Sequence, residues 1–378
     1  MNRIIAFYLP QYYEFPENNM WWGDGFTEWT NVKKSKPLYK GHYQPTIPLN
    51  NNFYSLDNID TMKWQADLAK KYNIYGFCFY HYWFGEERQL MEKPVDAWLE
   101  HKEIEYPYCL CWANHNWSRT WTGGDKEILM DMKYGEIDEW EKHFCYLLPF
   151  FKDKRYIKHD GKPILLIYLP QDISCLKEMH SYFQKRAKEE GFDGLQIIAQ
   201  NCFNDVDFDK IKEIVPYRIK YQPNYSHYVS GLKKHQTFKI SKSYFEDKCK
   251  YLIKTKIKEI TKGMLCKYKA YSYDAIWDYI VNDDNIDSTW FAGAFVRCDV
   301  TPRRQDRAII YEGDTPEKFK SYLTRLLRKV NTEYSNHIVF LSAWNEWGEG
   351  MYLEPDEKTK YEYLNAVREA LNEANNDK

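Results

Sequence analysis

Glu346 and Glu349 stand three residues apart in Leu341-Ser-Ala-Trp-Asn-Glu-Trp-Gly-Glu-Gly350, among two tryptophans, an asparagine and two glycines. Two carboxyls this close suit acid–base chemistry, one delivering a proton to a leaving oxygen while the other receives one. Glycosidic bond chemistry uses such a pair, and indoles offer flat apolar faces to pyranose C–H groups. The same pattern also fits a strand-end turn whose acids are solvated or salt-bridged. The preceding run, His337-Ile-Val-Phe-Leu-Ser-Ala343, reads as a buried strand, so the acids fall where a strand gives way to a loop. That is where an α/β barrel carries its chemistry.

The elements that must position these acids are eight short apolar runs. They are 4–9, 74–80, 108–113, 164–169, 195–200, a weaker run at 215–221, 291–296 and 338–343. Near-continuous apolar character is expected of parallel strands covered on both faces. Amphipathic stretches at 55–71, 136–151, 175–190, 315–330 and 358–373 predict helices between them. The alternation predicts a single (β/α)8 barrel over residues 1–378. An open doubly wound sheet is the alternative, and the first strand lacks the glycine-rich turn that fold uses for phosphates. Two segments exceed a minimal barrel: a long first loop at 11–54, and a lysine-rich insertion at 224–272. Loops of such length in compact domains are usually functional. The insertion reads either as a solvated face or as a contact for an anionic membrane surface or phosphorylated carrier lipid.

In a barrel the residues after each strand converge on one mouth. Strand 1 supplies Tyr8, Gln11 and Tyr12, with Trp29 further along its loop. Strands 2 and 3 supply Tyr80, His81 and Trp83, then Asn114, His115 and Trp117. Gln222 follows the sixth strand, Asp299 the seventh, and Trp344 and Asn345 precede the two glutamates. Amides, phenols, indoles and carboxylates at one rim are the chemistry of polyhydroxyl recognition, and these are the candidate substrate-binding residues. His81 and His115 could equally be structural. No H-x-H, H-E-x-x-H or D-x-D spacing supports a metal, and no cofactor motif appears. Ser342 lacks a G-x-S-x-G elbow and Cys111 is mid-strand, which argues against Ser or Cys nucleophiles.

Composition narrows the partners. With 33 Tyr and 14 Trp the chain is 18% aromatic, a surplus suited to lining a cleft. A net charge of −2 gives no field for nucleic acid. Nine cysteines without a C-x-x-C pair read as reduced thiols, not a disulfide framework or zinc site. The N-terminus opens directly as a strand, and no apolar stretch is long enough to span a bilayer, so a cytoplasmic location is expected.

Seven blocks in order carry a family likeness: Ala6-Phe-Tyr-Leu-Pro-Gln-Tyr12, Gly25-Phe-Thr-Glu-Trp-Thr-Asn31, Gly41-His-Tyr-Gln-Pro45, Gly76-Phe-Cys-Phe-Tyr-His-Tyr-Trp83, Trp112-Ala-Asn-His-Asn-Trp117, Gly161-Lys-Pro163 and Trp344-Asn-Glu-Trp-Gly-Glu-Gly350. The chain resembles the WbsX-like proteins of bacterial polysaccharide loci, which are similar to glycoside hydrolase family 99. The resemblance implies a barrel acting on α-mannoside-like linkages with retention. Glu349 would be the general acid/base at the leaving oxygen. Glu346 would be the base engaging the sugar 2-hydroxyl, whose oxygen attacks C1 to form an anhydrosugar. One acid should hold a proton near neutral pH, which burial beside Trp344 or Trp347 would favour. Relatives commonly carry an aromatic-Asp-Asn run after strand 7, where this chain has Cys298-Asp-Val300. The implied partner is an oligosaccharide or polysaccharide, including lipid-linked intermediates. A glycosyltransferase of O-antigen, capsule or lipopolysaccharide assembly and a catalytically silent glycan-binding barrel are the alternatives. A nucleotide-sugar transferase normally needs a diphosphate site, and no motif for one is visible.

Overall fold

The computed structural model describes residues 2–118, 127–231 and 268–376. Eight parallel strands form the core: β1 (Arg3–Tyr8), β2 (Gly76–Gly85), β3 (Tyr108–Trp112), β4 (Lys162–Ile167), β5 (Gln196–Ala199), β6 (Tyr217–Ile219), β7 (Trp290–Phe295) and β8 (Ile338–Ser342). Each pairs with its sequence neighbour, and β1 pairs with both β2 and β8, which closes the sheet. Closure leaves no free edge. The eight predicted strands are all present.

Eight helices cover the outside: α1 (Ile59–Lys71), α2 (Glu92–Glu100), α3 (Ile137–Lys152), α4 (Leu176–Glu189), α5 (Asp205–Ile211), α6 (Tyr273–Asn282), α7 (Pro316–Glu333) and α8 (Glu362–Asn376). Their apolar faces point inward; α7, for example, buries Phe319, Leu323, Leu326, Leu327 and Val330. The helices α2, α5 and α6 were not among the predicted stretches; they are short, at nine, seven and ten residues. The protein is a (β/α)8 barrel.

One boundary matters for function. The sequence places the end of the second strand at Tyr80, but β2 runs ten residues to Gly85. His81, Tyr82 and Trp83 are therefore in the strand, where side chains alternate between barrel interior and helix layer. Most of the lysine-rich insertion lies outside the described residues. Its described ends form a short helix, Asn224–Val229, and a strand, Lys269–Ser272, paired in parallel with Ile309–Glu312. Among the described residues no helix is long and apolar enough to cross a membrane.

Candidate active site

Glu346 and Glu349 share one cavity of about 220 Å³ at the C-terminal mouth of the barrel. Its walls are Leu9, Gln11, Tyr80, Tyr82, Ala113, His115, Asn116, Trp117, Ser118, Tyr168, Tyr221 and Arg303. The chain builds it by alternation. On β2, Tyr80 and Tyr82 face inward, while His81 and Trp83 face α3, where His81 Nε2 meets His143 Nε2 at 2.9 Å and Trp83 stacks on His143. Burial pushes His81 down to about 3, which keeps it neutral. Beyond β3 the same alternation aims Ala113 and His115 at the cavity, while Asn114 ties Leu169 through its amide.

The loop carrying the glutamates is held by the side chains of Asn345, Tyr12 and Trp347. Asn345 Oδ1 accepts the Leu9 N–H at 2.7 Å and Asn345 Nδ2 donates to the Leu9 carbonyl at 3.0 Å. The Tyr12 hydroxyl donates to the Asn345 carbonyl and accepts the Trp347 N–H at 3.2 Å. Trp347 Nε1 donates to Glu354 at 2.6 Å. Gly348 allows a close approach: a Cβ there would collide with Glu28 Oε1 and the Arg303 guanidinium. Gly350 has φ +63°, in the left-handed region that favours glycine, and packs against the Asp299 backbone.

The central device is Arg303, from the short helix Thr301–Arg304 after β7. Its Nε donates to Glu28 at 2.9 Å, its Nη2 to Glu346 at 3.0 Å, and its Nη1 to Glu349. Glu28 is fully buried, and its Oε2 has no hydrogen-bond partner among the described residues. A planar guanidinium with fixed donor directions thus sets where all three carboxylates sit. Burial is the largest influence on Glu346 and raises it to about 8, helped by repulsion from Glu349 and Glu28 and opposed by Arg303. In this cavity Glu346 therefore keeps a proton near neutrality.

Two polar groups face the cavity unsatisfied. Both amide atoms of Gln11 and Nδ1 of His115 are buried without a partner among the described residues. Buried polar groups are normally paired, so an unpaired set around a cavity marks where ligand hydroxyls can bind. The floor is a phenol–amide chain in which Gln200 Nε2 donates to the Tyr80 hydroxyl at 3.0 Å.

Of the sequence-nominated residues, Gln11, Tyr80, His115, Trp117, Glu346 and Glu349 meet at this cavity. The others lie elsewhere, each for a local reason. Tyr8 points outward from β1 and donates to Gln65 at 2.6 Å. Tyr12 and Trp29 pack together beneath the loop, and Trp29 Nε1 donates to the Tyr54 carbonyl. His81, Trp83, Asn114 and Asn345 serve packing or backbone ties, as described, and Trp344 packs against Phe77. Gln222 is buried and accepts the Ser226 N–H. Asp299 lies in a neighbouring hollow, where burial pushes its carboxyl up but His42, Thr301 and Gln44 outweigh that and hold it below its usual range. Arg303, Glu28, Tyr82, Tyr168 and Tyr221 are cavity or clamp residues that the sequence reading does not nominate. The signal for Glu28 was its place in Gly25-Phe-Thr-Glu-Trp29; for Arg303 it was only a cation just after the seventh strand. Among the described residues no group of three or more His, Cys, Asp or Glu side chains is placed to hold a metal ion.

The profile of the Glycosyltransferase WbsX family matches residues 4–367. An uncharacterized protein WxcX, from two strains of Xanthomonas campestris pv. campestris, is 30% identical over 378 residues, covering 98% of this chain and 50% of the relative. The chain thus spans about half the length of the curated relatives it matches. A GH99 endo-alpha-mannosidase from Bacteroides thetaiotaomicron, in complex with bis-tris-propane, superposes with a TM-score of 0.57 at 11% identity, over 99% of this chain and 97% of that one. The same enzyme alone gives 0.55 at 12% identity, over 99% and 98%. At that identity the likeness is one of fold. With a profile match running from the first strand to the last helix, the chain belongs to the Glycosyltransferase WbsX family.

Proposed function

We propose that this chain is a retaining carbohydrate-active enzyme, a glycosidase or transglycosylase working on α-mannoside-like linkages of bacterial surface polysaccharide. The observation that carries this reading is the sharing of one guanidinium, Arg303, by Glu346 and Glu349 inside a cavity walled by tyrosines and Trp117. The unpaired Gln11 amide and His115 ring supply hydroxyl partners there. The whole chain serves as one catalytic barrel, with residues 224–272 as an insertion.

In the first step Glu349 protonates the glycosidic oxygen as the C1–O bond breaks. Glu346 takes the proton of the sugar 2-hydroxyl, and O2 bonds to C1, giving a 1,2-anhydrosugar. In the second step an acceptor hydroxyl, from water or another sugar, gives its proton to Glu349 and bonds to C1. The C1–O2 bond opens and O2 recovers its proton from Glu346. Two inversions give net retention. The step needs Glu346 ionised and Glu349 protonated, one proton on the pair, and a carboxylate of raised pKa is the stronger base once ionised.

A second reading, glycosyl transfer in surface-polysaccharide assembly, is favoured by the glycosyltransferase name that the family carries. A glycan intermediate panel tests both. Cleavage or transglycosylation that vanishes in Glu346→Gln and Glu349→Gln supports the first reading. Full activity in both variants sinks it, and nucleotide release with an acceptor lipid favours the second.

A further inference from the structure

A hollow of about 380 Å³, larger than the Glu346–Glu349 cavity, lies against the same loop. Trp347 backs it, while its neighbours Glu346 and Glu349 face the other cavity. Tyr54 and Glu354 complete the floor. Glu354 is buried and accepts from Gln65 Nε2 at 2.6 Å, Tyr54 at 2.8 Å and Trp347 Nε1 at 2.6 Å. Half-buried Trp64 of α1 and exposed Tyr361 stand at the sides.

The rim is Asn50, Asn51 and Asn52, three amides in succession. Asn50 and Asn51 adopt left-handed backbone, with φ 58° and 54°. Asparagine is among the few residues besides glycine that adopt this conformation readily. The loop after β8 holds it here. Leu49 N–H donates to the Pro355 carbonyl at 2.9 Å and Asn50 N–H to Glu357 at 2.6 Å, while Asn51 N–H bonds Pro48 at 2.9 Å. The three side-chain amides make no hydrogen bond among the described residues, so their donors and acceptors are presented outward.

No lysine or arginine lines this hollow, so its walls offer no cation to an anionic ligand. The accessible rings of Trp64 and Tyr361 with the neutral amide donors and acceptors match an uncharged ring bearing several hydroxyls. We infer that this hollow is a second glycan-binding site, taking one neutral pyranose unit of a chain against the back of the Glu346–Glu349 loop. This deepens, and rests on, the reading of the protein as a glycan-processing enzyme. The site retains a long substrate while a second stretch of the same or another chain occupies the Glu346–Glu349 cavity.

The test uses the full chain carrying Glu346→Gln and Glu349→Gln, so that bound glycan is not consumed. α-Linked mannotetraose is titrated while the indole N–H resonances of Trp64, Trp347 and Trp117 are followed by NMR. We expect Trp64 and Trp347 to shift together, with a midpoint distinct from that of Trp117. Adding Trp64→Ala or, where that variant is poorly folded, Asn52→Ala should weaken the Trp347 response at least tenfold and leave the Trp117 midpoint unchanged. A shift of Trp117 alone overturns the second site and leaves the enzymatic reading intact. Shifts of Trp64 and Trp347 without Trp117 support the second site and count against the Glu346–Glu349 cavity as a sugar site. No shift at any indole overturns both, and a Trp347 response unchanged in both variants overturns the second site.

Discussion

Asn345 accepts the Leu9 N–H at 2.7 Å and donates to the Leu9 carbonyl at 3.0 Å, so one side chain sews the glutamate-bearing loop to the end of β1. Leu9 also lines the cavity, so this tie sets the loop and the cavity wall together. Asn345→Ala leaves two buried backbone groups of Leu9 unpaired, at a cost of about 2–4 kcal/mol. Urea unfolding should show that loss, together with a fall in turnover. Asn345→Asp keeps the acceptor but sets a buried carboxyl oxygen against the Leu9 carbonyl, and should lose at least as much stability. Unchanged stability in the alanine variant would remove Asn345 from the account.

Arg303 meets Glu28, Glu346 and Glu349 through three different nitrogens. A lysine retains the charge but not the fork, and it reaches at most part of the set. Displacing reacting groups by an ångström costs about 10²-fold in rate. Arg303→Lys should therefore lower turnover by about that factor with the far-UV circular dichroism spectrum preserved. Activity within twofold of the parent would contradict a positioning role.

Stability should fall as pH rises from about 6.5 to 8. Glu346 is raised to about 8 and Glu354 to about 7, each mainly by burial, from 4.5 when unfolded. Below 4.5 both states hold these protons. Above that the unfolded chain releases them while the native state retains them, so their contribution declines, by an amount on the order of a few kcal/mol for each group. Below about 6.5 the trend is opposed by His81, His143, His115 and His180, which burial keeps neutral while the unfolded chain protonates them. Asp153 and Asp299, held low by donors that outweigh their burial, act in the same opposing sense at acid pH. Melting temperatures in a pH series should show the decline above about 6.5, and Glu346→Gln should flatten it. A parent curve that climbs from about pH 6.5 to 8 would refute the assignment.

The rate profile reports the proton that the pair must hold. The first step needs Glu346 ionised and Glu349 protonated, so one proton has to stay on the pair. With Glu346 raised to about 8, that proton is lost above this value, and kcat/KM should fall as pH rises through about 8. A kcat/KM that stays level or climbs through about pH 8 would contradict a working state with one proton on the pair.

Much of this protein was legible in its sequence. The eight apolar runs sufficed for the barrel, because strands covered on both faces need continuous apolar residues whatever their neighbours. The paired glutamates were legible because the strand-to-loop transition before them is sharp. Period-two alternation also holds the reason His81 and Trp83 turn away. It went unused because the sequence marks no end to β2, and a strand ended at Tyr80 leaves the following residues free to be loop.

What only the tertiary structure decided is the set of long-range pairings. Arg303 lies 275 residues from Glu28 in the chain, and Asn345 lies 336 from Leu9. No local pattern encodes which cation meets which acid, because closing the barrel brings the ends of β1, β7 and β8 side by side. The same closure selects Glu346 as the carboxyl burial raises, a property of the surrounding walls and not of the residue itself. Residue types were set in the chain, and their partners and proton affinities were set by folding.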